Sequence, residues 1–287
     1  IPSEHPLRVG PFGVYGPRLG NYVVQNADLL LVLGTRLSQN LTGGILPAFA
    51  REAFIAMVDA STGEMDKFDG RGIDVDLRIC AELADFVPRL SSALGDRGPT
   101  ELGPWMEQIE LWRRELPDDR PPSAPADAGY VDAYDVVEVL GELIPEGEAV
   151  FVDTGGNLTW TCNGLRVKQG QRLISAWNNT PMGYSLPAAI GAASADASQP
   201  TTCIIGDGGL TLCLSELATV QQRRLPIRIL LFNNHCHGIQ KQTLDTWLDG
   251  KYVGVDSGSG LAFPDLPRVA EAMGLRVITV DSTDHVH

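Results

Sequence analysis

The run Asp28 to Gly34 (DLLLVLG) is apolar without a break and closes on a glycine, and Ala53 to Asp59 (AFIAMVD) repeats the form with a closing Asp. Continuous apolar runs of this length, bounded by turn residues, predict strands buried on both faces, as in a parallel sheet. Between them Leu46, Phe49 and Ala50 have helical spacing; after a third short strand near Ile73 to Ile79, Cys80 to Leu94 predicts another helix. Past residue 94 the texture turns to Pro, Asp, Gly and Arg, which predicts a linker over 95–128 carrying one helix around Trp105 to Leu116. Trp105 and Trp112, seven apart, place both rings on the face of that helix that packs onto a domain. The alternation then resumes, with a helix at Asp132 to Leu143 and strands at Ala149 to Asp153, Arg172 to Ala176, Thr202 to Ile205 and Ile227 to Phe232. Helices at Leu186 to Ala195 and Leu214 to Gln222 separate the later strands, and a helix at Pro264 to Met273 and a strand at Arg276 to Val280 follow. Strand and helix in alternation predict an α/β protein of two parallel-sheet, three-layer domains, 1–94 and 129–287, joined by the linker.

Composition narrows the class. A chain of 287 residues, 44% hydrophobic and 20% charged, can bury two ordinary cores, and it shows no internal repeat or low-complexity tract. Its 22 Lys and Arg against 36 Asp and Glu give a net charge of -14, which argues against nucleic acid or an anionic membrane as partner. The apolar runs are strand-length, far below the ~20 residues of a membrane helix. Ile1 to Pro11 carries His5 and Arg8 where a secretory signal needs an apolar core. The five Cys, at 80, 162, 203, 213 and 236, have neither CxxC spacing nor a His pair at zinc intervals, so they read as free thiols, with a cytoplasmic location as the default. Cys203 and Cys213 are expected to fill the core.

Candidate chemistry sits at two strand ends. Thr202 to Ile205 runs into Gly206-Asp207-Gly208-Gly209, where a glycine turn lets backbone amides approach an anion and Asp207 offers a carboxylate. The next strand ends in Asn233-Asn234, 27 positions after Asp207, so one strand–helix–strand unit brings a carboxylate and a carboxamide to one sheet edge. Hard oxygens of that kind suit magnesium bridging a diphosphate. A Gly-Asp-Gly alone is common in turns; the pair at this spacing is specific.

That pair, a GDG after one strand and NN after the next, resembles the thiamine-diphosphate signature, and the stretch IIGDGGLTLCLSELATVQQRRLPIRILLFNNHCHGI is similar to the matching segment of acetolactate synthases. PMGYSLPAAIGAA (181–193) and DTGGNLTW (153–160) resemble the family's cofactor-supporting loops, and GPFGVYGPRLGNYVVQNADLLLVLGTRLS (10–38) is similar to its middle domain. The resemblance makes 1–94 a partial Rossmann-like middle domain and 129–287 a C-terminally truncated thiamine-diphosphate-binding domain. It implies that Asp207, the Asn234 side chain and the Cys236 carbonyl bind magnesium. It implies further that Gly156, Asn157, Gly206, Gly208, Gly209, His237, Gly238 and Ile239 line the cofactor, with Thr180 and Met182 at its aminopyrimidine and Met182 as the wedge that bends it. The implied activity is that of an acetolactate synthase-like decarboxylase and carboligase, a lyase or transferase: a 2-oxo acid such as pyruvate loses carbon dioxide and the remainder attacks a second carbonyl.

The family's activating Glu belongs to a pyrimidine domain that precedes the middle domain, so the chain is expected to be a fragment or split-gene product whose catalytic residues are unknown, with the activating Glu on the absent domain. It is then expected to need a pyrimidine-domain polypeptide or the remainder of the same protein, to be nearly inactive without it, and to assemble as an oligomer. Where the synthases place an apolar pair and then a Trp, Gln240 and Thr243 stand here, which would admit a ketosugar acceptor. KYVGVDSGSGLAFPDL (251–266) resembles synthase-like proteins of sugar modification. Gly10 to Gly16 with Gly34-Thr35-Arg36 fall where the middle domain holds FAD, yet Tyr15-Gly16-Pro17 replaces the family's His-Gly-Thr, which leaves flavin open. His235 and His237 around Cys236 are expected to be structural or solvent-facing rather than a metal trio, because alternate side chains after a strand rarely converge with two neighbours. A non-catalytic, cofactor-binding remnant is the rival reading.

Overall fold

A computed structural model describes residues 1–95, 102–116, 129–282 and 285–286. The chain divides into two compact units, residues 9–119 and residues 1–8 with 120–287. The linker expected over 95–128 lies for the most part outside the described residues.

The unit of residues 9–119 runs α1 (Arg18–Gln25), β1 (Leu29–Leu33), α2 (Gln39–Thr42), β2 (Phe54–Asp59), α3 (Thr62–Asp66), β3 (Leu77–Cys80), α4 (Leu83–Leu94) and α5 (Gly103–Glu115). Its three strands pair in parallel in the order β1-β2-β3, with Leu29 opposite Phe54 and Ala56 opposite Leu77. Alternate residues of these strands, Val32, Ile55 and Met57, face a core that also takes Leu37, Phe49, Met65, Phe68, Ile73 and Val75. The third strand therefore starts later than its apolar pattern suggests, since Ile73 and Val75 serve the core before the ladder begins at Leu77. The helical spacing at Leu46, Phe49 and Ala50 yields a single 3-10 turn, Leu46–Ala48, with Pro47 inside it and Ala50 at φ 42 just beyond. Helix α5 lies against α1, with the Trp112 ring edge-on to Tyr22 at 6.0 Å and to Trp105 at 5.6 Å.

The other unit contains α6 (Ala133–Leu143), β4 (Ala149–Val152), α7 (Gly156–Gly164), β5 (Arg172–Ile174), α8 (Ser185–Ala195), β6 (Thr201–Gly206), α9 (Asp207–Leu212), α10 (Glu216–Arg223), β7 (Ile227–Phe232), α11 (Gly238–Trp247) and α12 (Leu266–Ala272). Its sheet is fully parallel in the order β5-β4-β6-β7. Phe151, Cys203 and Ile205 point to one face and join Leu186, Leu210, Leu217 and Leu266 in a core cluster. Val150, Val152 and Ile204 alternate to the opposite face, each at most 1% exposed. Burial pushes the Cys203 and Cys213 thiols up to about 12, so both stay protonated and inert at neutral pH. At the start of the sheet Arg228 pairs with Glu148, whose side chain is 1% exposed and also accepts from Thr202 Oγ1 at 2.6 Å.

The strand expected over 276–280 does not form: its apolar residues Ile278 and Val280 stay 73% and 45% exposed and enter no ladder among the described residues. Among the described residues no helix is long and apolar enough to cross a membrane. For the site, the register matters most. Val152 pairs with Ile204 and Gly206 with Phe232, so the tips of β4, β6 and β7 deliver Asp153, Asp207 and Asn233-Asn234 to one edge of the sheet.

Candidate functional site

Asp207 follows β6 directly and is the first residue of α9, so the helix begins at the Asp itself and not some residues later. It is 3% exposed. Its Oδ1 accepts from the Gly208 amide at 2.7 Å, whereas Oδ2 is buried and has no hydrogen-bond partner among the described residues. Burial pushes its carboxyl above the usual Asp range, opposed by the backbone amides of Gly208, His235, Asn234 and Cys236, which favour the charged form. A buried, unpartnered carboxylate oxygen costs folding free energy.

The β7 tip supplies the facing wall. Asn234 Oδ1 accepts from the Cys236 amide at 3.2 Å, closing a turn in which His235 sits at φ 56. A carboxamide oxygen keeps a second lone pair after that bond and can still ligate. His237 precedes α11 and donates its amide to Val255 at 2.8 Å, while its ring stands edge-on to Phe263 at 5.6 Å. Cys236 forms a bridge with Asp256, whose carboxylate holds Lys241 at 2.7 Å. The segment 252–263 thus straps the loop of residues 234–237, a supporting role that the likeness of 251–266 to synthase-like proteins of sugar modification does not carry. Among the described residues no three His, Cys, Asp or Glu side chains converge as a metal centre. A groove of about 530 Å³ beside the loop is lined by His235 and the strap residues Ser257 and 260–263; it contains neither Asp207 nor Asn234.

The glycines work by close approach. A Cβ on Gly208 would lie 2.5 Å from His237 Nδ1 and 2.7 Å from Met182 Cε, and one on Gly206 would lie 3.4 Å from Asn157 Oδ1. One on Gly238 would meet Asn234 Nδ2 at 3.1 Å. The structure therefore gathers Met182, Gly208 and His237 in one place, Asn157 and Gly206 in a second, and Asn234 and Gly238 in a third. Asn157 is 4% exposed and donates from Nδ2 to the Asp153 carbonyl at 2.8 Å. Gly155, at φ 105, turns the chain from β4 into α7, so the DTGGNLTW stretch is the first turn of a helix and not an open loop. Thr180 sits at φ 41 ahead of Met182, and Ile239 stands 44% exposed on the first turn of α11. Gly208→Ala is expected to displace His237 and Met182 while leaving thermal stability unchanged or slightly higher, since Ala favours a helix over Gly by about 1 kcal/mol. Melting curves beside calorimetric cofactor titration check it, and unchanged affinity would remove Gly208 from the site.

Residues 153–287 match the family model described as thiamine pyrophosphate enzyme, C-terminal TPP binding domain, and residues 1–90 match that of the central domain of the same enzymes. The chain belongs to the thiamine pyrophosphate enzymes. It is 30% identical over 282 residues to the acetolactate synthase large subunit of Cyanidium caldarium, covering 97% of this chain and 46% of that protein. A probable acetolactate synthase large subunit of Methanocaldococcus jannaschii is 29% identical, covering 100% of this chain and 47% of that one. The large subunit of acetolactate synthase isozyme 1 from Escherichia coli is 28% identical over 246 residues, 85% of this chain and 42% of the relative. The chain spans about half the length of the curated relatives it matches. The match to the C-terminal domain of thiamine pyrophosphate enzymes begins at Asp153, so it takes in every residue of the three groupings above.

Proposed function

We propose that the β6 and β7 tips hold magnesium and the diphosphate of thiamine diphosphate, and that the chain is the cofactor-binding part of an acetolactate synthase-like enzyme that decarboxylates a 2-oxo acid and joins the product to a second carbonyl. The observation that carries the reading is the buried carboxylate of Asp207, whose Oδ2 has no hydrogen-bond partner among the described residues while the amides of residues 234–236 favour its charged form. Asp207, the Asn234 carboxamide and the Cys236 carbonyl make a set of hard oxygens suited to magnesium. The amides of the first turn of α7, entered through Gly155 and Gly156, and of the glycines at 206, 208 and 209 are the backbone groups that would meet a diphosphate. Thr180 and Met182 then border its aminopyrimidine. When bound, thiamine diphosphate supplies an acidic ring carbon that adds to the 2-oxo acid and takes up the electrons released as carbon dioxide leaves.

The chain's own residues bind, orient and exclude water. The proton-transferring Glu of the family is assigned to a pyrimidine domain, on another polypeptide or on the remainder of the same protein, and the working enzyme to an oligomer containing it. Calorimetry with thiamine diphosphate, with and without magnesium, tests the binding, and product analysis with pyruvate and candidate acceptors in the presence of that domain tests the reaction. Heat that does not depend on magnesium would sink the reading. A second reading, a ketosugar as acceptor, is favoured by Gln240 and Thr243, both exposed on the first two turns of α11 just past the diphosphate loop.

A further inference from the structure

Asp153 caps the tip of β4 and is 1% exposed. Its Oδ1 accepts from the amides of Thr154 and Gly183, each at 3.0 Å, and its Oδ2 accepts from the amide and the hydroxyl of Ser185, each at 3.0 Å. Three of these four donors belong to the turn that leads into α8. The segment between β5 and α8 holds three residues in the left-handed region, Trp177 and Thr180 at φ 41 and Gly183 at φ 80. Non-glycine residues persist there only where their surroundings hold them. The far end of the turn is fixed in the interior, since Ser185 is 0% exposed and its hydroxyl also meets Cys203 Sγ at 3.4 Å. The near end, Met182, is 39% exposed and reaches toward Gly208. Helix α9 touches the same carboxylate only by shape, as a Cβ on Gly209 would lie 3.0 Å from Asp153 Oδ1. No hydrogen bond to Asp153 comes from Asp207 or Asn234 among the described residues.

Resting on the cofactor reading above, we infer that Asp153 is a positioning residue for the aminopyrimidine end of the site: its carboxylate pins the 180–185 turn, and through it Met182, independently of the oxygens that hold magnesium and diphosphate. Asp153→Asn keeps the shape but turns one acceptor into a donor facing N–H or O–H groups, which unpins one side of the turn. Ser185→Ala removes one of the four bonds to Asp153, together with the Cys203 contact, and serves if the first variant does not fold.

The test is calorimetric titration of the native chain and both variants with magnesium and either inorganic pyrophosphate or thiamine diphosphate. Asp153→Asn is expected to weaken thiamine diphosphate by about tenfold or more, the effect of one lost productive contact, with pyrophosphate within about twofold of native. Ser185→Ala should move in the same direction by less. Equal loss of both ligands, or loss of neither, overturns the inference, and so does a native chain that binds both ligands equally well. A native chain that binds neither overturns the cofactor reading itself.

Discussion

Asp207→Ala is expected to lower the magnesium-dependent affinity for thiamine diphosphate by at least about 100-fold, because loss of a mere supporting group around a metal already costs 10- to 100-fold. The same change should leave the melting temperature of the ligand-free chain level or higher. Two opposing terms set that balance. The native carboxylate keeps Oδ2 buried without a partner, at a cost of about 1–3 kcal/mol, and burial disfavours its charge. Against this stand the 2.7 Å bond from the Gly208 amide, whose net contribution is about 1 kcal/mol, and the amides of residues 234–236, which also favour the charged form. A site that costs the empty protein stability and regains it on binding is the ordinary sign of function. Adding magnesium and cofactor at about 100 times the native dissociation constant should then stabilise the native chain by about 2.7 kcal/mol and the variant by about 0.4 kcal/mol or less. Melting curves with and without both ligands measure this, and a variant stabilised as much as the native chain would refute the assignment of Asp207.

Much of this geometry was open to reading from residue order, and the reasons differ by element. The run Ile227 to Phe232, apolar but for Arg228, predicts a strand of a parallel sheet, and the strand is observed with those bounds at the sheet's edge. A glycine–aspartate tip followed by an asparagine pair one strand later needs no tertiary information, because parallel register alone brings the two tips to one edge. Helix starts were harder to read. Gly156 and Gly238 open α7 and α11, although glycine weakens helices, where a Cβ would meet the Trp160 ring at 2.9 Å and Asn234 Nδ2 at 3.1 Å. Nor could alternation at 276–280 reveal that no neighbouring strand offers a ladder. Asp153 illustrates the last class: its position at a strand end is visible in AVFVD, but three of its four hydrogen-bond donors lie 30 or more residues away and only folding brings them in.

The unit of residues 9–119 offers the second large effect, through Gly20→Ala. Gly20 is a buried residue of α1, and a Cβ there would lie 2.0 Å from the Pro11 carbonyl oxygen and 2.9 Å from its carbon. Both obstacles are backbone, so no rotamer change relieves the clash. The obstructed loop is itself fastened to α1. Asn21 accepts from the Gly13 amide at 2.7 Å and donates back to the carbonyls of Gly13, Gly16 and Pro17, while Gly13, at φ 83, passes close to Asn40. Phe12 in that loop packs on the core, with its ring 6.5 Å from Phe49. Moving the loop aside therefore breaks the Asn21 bonds and opens the core together, and the expected loss is about 3 kcal/mol or more despite the gain of about 1 kcal/mol that Ala brings to a helix. Gly191→Ala is the matched control, since that glycine also lies in a helix but has nothing within 4 Å of its would-be Cβ, and it should stabilise slightly. Denaturant unfolding of the two variants measures both signs. Magnesium and pyrophosphate binding should survive Gly20→Ala, because every residue assigned to that site lies in the other compact unit. Loss of binding in step with the lost stability would show that the two units fold as one.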